Sequence, residues 1–169
     1  MTGTGYANAD YELWPFFSQL LLFFLMFFGA MGGSTSGGLK IARIILLFKY
    51  AATETRRMLH SRAIIPLKIG QRSIGDDIVR NTLGFFLIYL SIFVLTALVL
   101  ASFNLDLISA LGASASAIGN VGPAFGAFGP TDSYALLPLA GKWLLSFCML
   151  LGRLEIFTVM VLFSRTFRE

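Results

Sequence analysis

The chain has 169 residues, 56% hydrophobic and only 13% charged, with 13 Lys and Arg against 9 Asp and Glu. Soluble domains carry about 25% charged residues, so this composition excludes a water-exposed globule and points to an integral membrane protein. A single cysteine, Cys148, excludes an internal disulfide framework, and a single histidine, His60, leaves no zinc cluster.

From the N-terminus, "TGTGYANADYE" (2–12) lacks the basic and apolar regions of a cleaved leader, so none is expected. An apolar run opens at Leu13 and continues through a glycine-rich patch to Tyr50. It exceeds the ~20 residues that cross a bilayer, which puts the patch, about 29–40, at membrane depth or just inside it. Within it "GGSTSGGLK" suggests a phosphate loop, but the spacing fails. Leu39 stands where the lysine belongs, and Ile41 follows Lys40 where Ser or Thr is required. Gly29, Gly32, Gly33, Gly37 and Gly38 each weaken a helix by ~1 kcal/mol relative to alanine. Ser34, Thr35 and Ser36 can bond the freed backbone or line water. A small-residue packing patch competes with this reading. Packing alone, however, does not require five glycines among ten residues with three hydroxyls between them. A helix broken by a polar loop is expected.

Next, "TETRRMLHSR" (53–62) reads as a basic surface helix, on which His60 is a solvated residue. "AIIPLKIGQRSIGDD" (63–77) reads as a short hairpin or loop, with Asp76 or Asp77 capping the helix that follows. A second span covers 78–101. "DLISALGASASAIG" (106–119) is too short to cross and reads as a re-entrant helix. The last span covers 135–163, with Cys148 in its apolar run as a core or lipid-facing packing residue. Nine of the thirteen basic residues lie between Lys40 and Arg80, with Arg165 and Arg168 after the last span. Asp10, Glu12, Asp106 and Asp132 lie on the other side. The positive-inside rule makes 40–80 and the C-terminus cytoplasmic, across three crossings. The basic cluster fits a lipid-headgroup face better than nucleic acid.

The chain also echoes itself. "WPFFSQLLLFFLMFFGA" (14–30) aligns with "LPLAGKWLLSFCMLLGR" (137–153): Pro15 and Gly29 in one match Pro138 and Gly152 in the other. Polar, glycine-containing stretches precede both prolines. The implied unit is span, short helix, glycine-rich extended strand, span, with one unit complete and another entered partway.

Such a unit suits a cation. Asp106 can cap the short helix and Gly119 can stop it, leaving the helix's partly negative C-terminal end aimed at the membrane centre. Extended backbone at that depth is tolerated where it lines a water-filled cavity. Its carbonyls then replace the hydration shell of a monovalent ion. A glycine-rich outer loop with no ion is the alternative. Arg153, placed mid-span, should face a cavity and act as an electrostatic barrier; the alternative is snorkelling to the interface. Lys142 is expected to snorkel outward. Lys40 either senses a vestibule or anchors to headgroups.

"TGTGY…GGSTSGGLKIAR" and "SAIGNVGPAFG…LLGRLEIFT" resemble the Trk/Ktr/HKT superfamily of potassium transporters, on its bacterial TrkH/TrkG side. The resemblance covers essentially the whole chain. It implies an all-α integral membrane fold of span–pore helix–span repeats, four around one pore, of which this chain carries the end of the third and all of the fourth. Residues 1–50 would hold a filter strand (Gly3, Thr4, Gly5) and a broken helix. Residues 51–76 would be a cytoplasmic connector. Residues 77–169 would be a full repeat with span 78–101, pore helix 106–118, filter 119–126 (Asn120, Val121, Gly122) and span 135–163. The resemblance makes Gly32, Gly33, Ser34, Thr35, Ser36, Gly37, Gly38 and Lys40 an intramembrane gate, with Arg153 at the constriction. K⁺ is the implied transported ion, in a multi-pass protein of the bacterial inner membrane with a cytoplasmic C-terminus. Implied partners are membrane lipid, the missing N-terminal repeats, a second copy in a homodimer and a cytosolic nucleotide-binding regulatory subunit. Without those repeats the chain should not close a pore by itself. An ion-coupled carrier would want an intramembrane carboxylate or histidine pair, for which only Glu155 qualifies; a non-transporting scaffold is the other rival. No nucleophile–base or metal set suggests an enzyme.

Overall fold

The computed structural model describes residues 5–28, 38–59, 67–69 and 72–154. These form five α-helices: α1 (Phe16–Phe27), α2 (Ile41–Leu59), α3 (Asp76–Ala101), α4 (Leu107–Gly119) and α5 (Leu139–Arg153). Between α2 and α3 lies a minimal antiparallel hairpin, β1 (Lys68–Ile69) with β2 (Arg72–Ser73), pairing Lys68 with Ser73 and Ile69 with Arg72. The fold is helical, as the sequence implies, with this hairpin its one sheet among the described residues.

The centre of the molecule is α4. It is built from Gly, Ala and Ser, and every residue from Ser109 to Gly119 is buried except Leu111. Small side chains let α1, α3 and α5 all close in on it. One of its serines ties two helices: Ser114 Oγ donates to the Phe93 carbonyl at 2.8 Å, joining α4 to α3. On α3, Phe85, Tyr89, Phe93, Thr96 and Leu100 recur every three or four residues and form the buried stripe. Leu87, Leu95 and Leu98 on its other side are about 60% exposed, an apolar outward face suited to lipid. Among the described residues α3 is the one helix long and apolar enough to cross a bilayer.

Three local expectations need correction. Neither Asp76 nor Asp77 caps α3: the N-cap is Gly75, and both acids sit in the first turn, where negative charge complements the helix dipole. Gly119 does not stop α4. It stays helical, and its missing Cβ lets the Met26 carbonyl of α1 approach, since a Cβ there would lie 2.8 Å from that oxygen; the left-handed terminator is Asn120 (φ 53°, ψ 40°). The basic stretch is no separate helix, since α2 runs unbroken from Ile41 through Arg57 to Leu59. No Gly or Pro interrupts it, and the Thr53 and Thr55 hydroxyls donate to carbonyls one turn back.

The helices that flank the glycine patch meet at its described edges. α1 ends at Phe27, α2 begins at Ile41, and Phe28 and Leu39 meet in a parallel bridge with the Leu39 N–H donating to the Phe27 carbonyl at 3.0 Å.

The sequence echo extends further than its prolines. Tyr11–Leu13 and Tyr134–Leu136 form matching 3₁₀ turns, and Pro15 and Pro138 are the N-caps of α1 and α5. In each turn the residue before the proline donates to the tyrosine carbonyl at 3.2 Å. Gln19 Nε2 donates to the Glu12 carbonyl and, at the matching positions, Lys142 Nζ donates to the Ala135 carbonyl. Lys142 therefore caps its own turn instead of merely reaching for water.

Candidate functional site

The expected ion-binding strand leaves the C-terminal end of α4. That helix begins where Asp106 accepts the Ser109 N–H at 3.1 Å, a cap whose hydrogen bonds hold its carboxyl below the usual range. It ends in a Schellman motif: Val121 N–H donates to the Ser116 carbonyl and Asn120 N–H to the Ala117 carbonyl. Among the described residues none donates a hydrogen bond to the carbonyls of Gly119, Asn120 or Val121. These oxygens lie where the helix dipole is negative.

The geometry of the strand is set by glycine. Gly122 has φ +107° and Gly5, from the N-terminal strand, has φ +78°. The two stand side by side, and a Cβ on Gly5 would run into the Val121 carbonyl and lie 3.5 Å from Pro123. The structure thus brings Gly5 together with Val121 and Gly122, residues that are more than a hundred positions apart in the chain. Gly3 and Thr4 lie outside the described residues.

Gly122 departs from the sequence expectation in one respect. Its carbonyl is turned into the protein, accepting from Ser116 Oγ at 2.9 Å and Tyr134 Oη at 3.1 Å, while its N–H donates to the same Ser116 Oγ at 3.0 Å. It contributes conformation; the oxygens that accept no hydrogen bond from a described residue belong to residues 119–121. Ser116 and Tyr134 were invisible as site residues because their partners are reached through the fold. The one available signal was a buried hydroxyl a turn before the helix end.

Outside the strand, the first 3₁₀ turn clamps the loop after it. Tyr11 Oη donates to the Ala124 carbonyl at 2.6 Å, and its ring meets Phe125 edge-on at 5.1 Å. Glu12 Oε1 accepts the Gly126 N–H at 2.6 Å, and Gly129 leaves room for that carboxylate. Ser109 Oγ accepts the Ala127 N–H. Burial pushes the Tyr11 hydroxyl up to about 12, with Glu12 adding to the shift. Burial also raises Glu12, against the Gly126 hydrogen bond, and Asp10 and Asp132 raise it further. The expected acidic side is thus gathered at one end of the molecule. Tyr134 is raised by burial too, opposed by its contact with Ser116.

Beneath the strand, Asn120 Nδ2 donates to the Met149 carbonyl at 3.0 Å, and Gly152 packs its bare Cα under the Ile118 carbonyl. Arg153 follows as the last residue of α5, where a cation complements the helix terminus. Glu155 and the rest of 155–169 lie outside the described residues. Of the expected gate residues, Gly32, Gly33, Ser34, Thr35, Ser36 and Gly37 also lie outside them. Gly38 (φ +82°) and Lys40, whose carbonyl accepts the first N–H bonds of α2, are described.

Comparison with known proteins identifies the family. The family model described as "TrkH: Cation transport protein" matches residues 1–168. The Trk system potassium uptake protein TrkH of Halomonas elongata is 40% identical over 98% of this chain, and its Escherichia coli K12 namesake is 36% identical over 98%. The chain covers 34% of the length of each. The crystal structure of the potassium transporter TrkH from Vibrio parahaemolyticus superposes with a TM-score of 0.88 at 36% identity, over 99% of this chain and 36% of that one. With a family model matched nearly end to end and a solved relative that superposes over almost the whole chain, the chain belongs to the TrkH family of cation transport proteins.

Proposed function

We propose that this chain forms part of a potassium-uptake pathway across the membrane, with the carbonyls of residues 119–121 and the strand at Gly5 as two walls of an ion filter. The observation that carries the reading is the contact of Gly5 with the Val121 carbonyl, two glycine-dependent strands meeting above the negative end of a buried helix. Carbonyls that no described residue engages, at that place, are suited to an ion shedding its water. The names of the relatives, potassium uptake proteins, supply the ion.

On this reading residues 77–169 are one span–pore helix–span repeat, with α4 as its pore helix, and residues 1–50 are the end of the preceding one. The matching turns before α1 and α5 support the repeat. Residues 29–40 are the gate, supported by the bridge that pins its ends at Phe28 and Leu39, with Arg153 as a barrier below the filter. Residues 51–76 are the cytoplasmic connector. Their basic face meets anionic headgroups or a cytosolic nucleotide-binding regulator, in an inner-membrane protein that pairs with a second copy and has its C-terminus inside.

The test replaces the matching third of the Vibrio parahaemolyticus transporter with this chain and measures rubidium and sodium uptake into proteoliposomes. Gly5→Ala and Gly122→Ala are each expected to abolish most rubidium flux, since both positions hold a positive φ. Unchanged rubidium flux and unchanged ion preference in both variants would remove the filter from this strand.

A further inference from the structure

We infer that Ser116 and Tyr134 are the positioning residues that set ion preference, by locking the two peptide units on either side of Gly122. This inference rests on the filter reading above and assigns it a mechanism. A trans peptide is planar, so its C=O and N–H point in opposite directions. The Gly122 N–H is held by Ser116 Oγ at 3.0 Å, and the carbonyl of that same peptide belongs to Val121. Ser116 therefore aims the Val121 oxygen away from α4, on the side where Gly5 stands.

The next peptide joins Gly122 to Pro123, which has no N–H to be held, so its orientation has to be fixed through the Gly122 oxygen. Both lone pairs of that oxygen are engaged, by Ser116 Oγ at 2.9 Å and Tyr134 Oη at 3.1 Å. Glycine at φ +107° is otherwise the residue most free to swing. The two hydroxyls are themselves rigid. Ser116 is fully buried, and the Tyr134 ring stacks on Phe128 with centroids 4.5 Å apart and planes 2° from parallel. Discrimination between ions of one charge and different radius needs oxygens that cannot follow the smaller ion inward, and this clamp supplies that stiffness.

Tyr11 provides the control. It stands at the matching place in the first turn and makes the same kind of bond, but to the Ala124 carbonyl, two residues beyond the clamped peptides. In the full-length chimaera, Tyr134→Phe keeps the stacked ring and removes one hydrogen bond, and Ser116→Ala removes two. The rubidium-to-sodium uptake ratio is expected to fall about threefold in the first and about tenfold in the second, with rubidium uptake itself retained. Tyr11→Phe should leave the ratio at the parent value. An unchanged ratio in Tyr134→Phe at retained flux overturns the clamp, even if Ser116→Ala fails to assemble. An equal fall in Tyr11→Phe overturns it as well, since general loosening would then explain the effect. If Gly5→Ala and Gly122→Ala leave flux and ratio intact, the filter reading fails and the clamp with it. If those two abolish flux while the hydroxyl variants keep the parent ratio, the filter stands and only the clamp is lost.

Discussion

At Asp106 one exposed carboxylate starts the helix on which the site depends. Its pKa is depressed by the Ser109 hydrogen bonds. Its stabilisation is therefore full above the ordinary carboxylate range and is lost as pH falls through the depressed folded value. Asp106→Ala should cost about 1 kcal/mol of stability, read as a lowered Tm in detergent. Asp106→Asn should keep the neutral cap and flatten the acid-side dependence of Tm that the parent shows. Glu12 carries the opposite sign: its raised pKa gives a contribution fully present in acid and lost as pH rises through the folded value. The Asp106 cap was legible because an N-cap acts on the next three residues. The role of Asn120 was not, since a local reading assigns the helix stop to glycine. Here Gly119 is required instead by the Met26 carbonyl on another helix, and Asn is the residue that tolerates the left-handed turn.

Among elements, the junction of α4 and α5 is the tightest, and a glycine makes it so. A Cβ at Gly152 would collide with the Ile118 carbonyl, whereas one at Gly75 meets nothing within 4 Å. Gly152→Ala should therefore destabilise by about 1–3 kcal/mol, as other overpacked sites do, and Gly75→Ala should unfold with the parent. Thermal unfolding followed by tryptophan fluorescence separates the two. Periodicity and length gave away α3 and α4 as elements, and the prolines gave away the starts of α1 and α5. The continuity of α2 through its basic half was hidden by a change of composition with no change of backbone. The Tyr-x-Leu-x-Pro pattern before α1 and α5 stood in the sequence as well. It means little until both turns are seen to make the same hydrogen bonds.

For the molecule as a whole, charge is sorted by end. Asp10 and Asp132 sit close enough to act on Glu12, at the end where α1 and α4 begin. Basic side chains such as Arg56 and Arg57 lie on the far half of α2. The positive-inside rule turns this polarity into an orientation. In a Cys148→Ala background, Ser133→Cys should react with a membrane-impermeant maleimide on intact cells, and Thr55→Cys only after permeabilisation. Reversed labelling would invert the topology.

The bridge between Phe28 and Leu39 has a consequence for how this fold can vary. Because Phe28 and Leu39 are stitched to each other, the end of α1 and the start of α2 are held in register by described backbone. Doubling the length of such a bight adds only about 0.6 kcal/mol of closure entropy. A change of length there should therefore leave the aim of both helices intact, so that its effect on flux reports on the proposed gate and not on the frame.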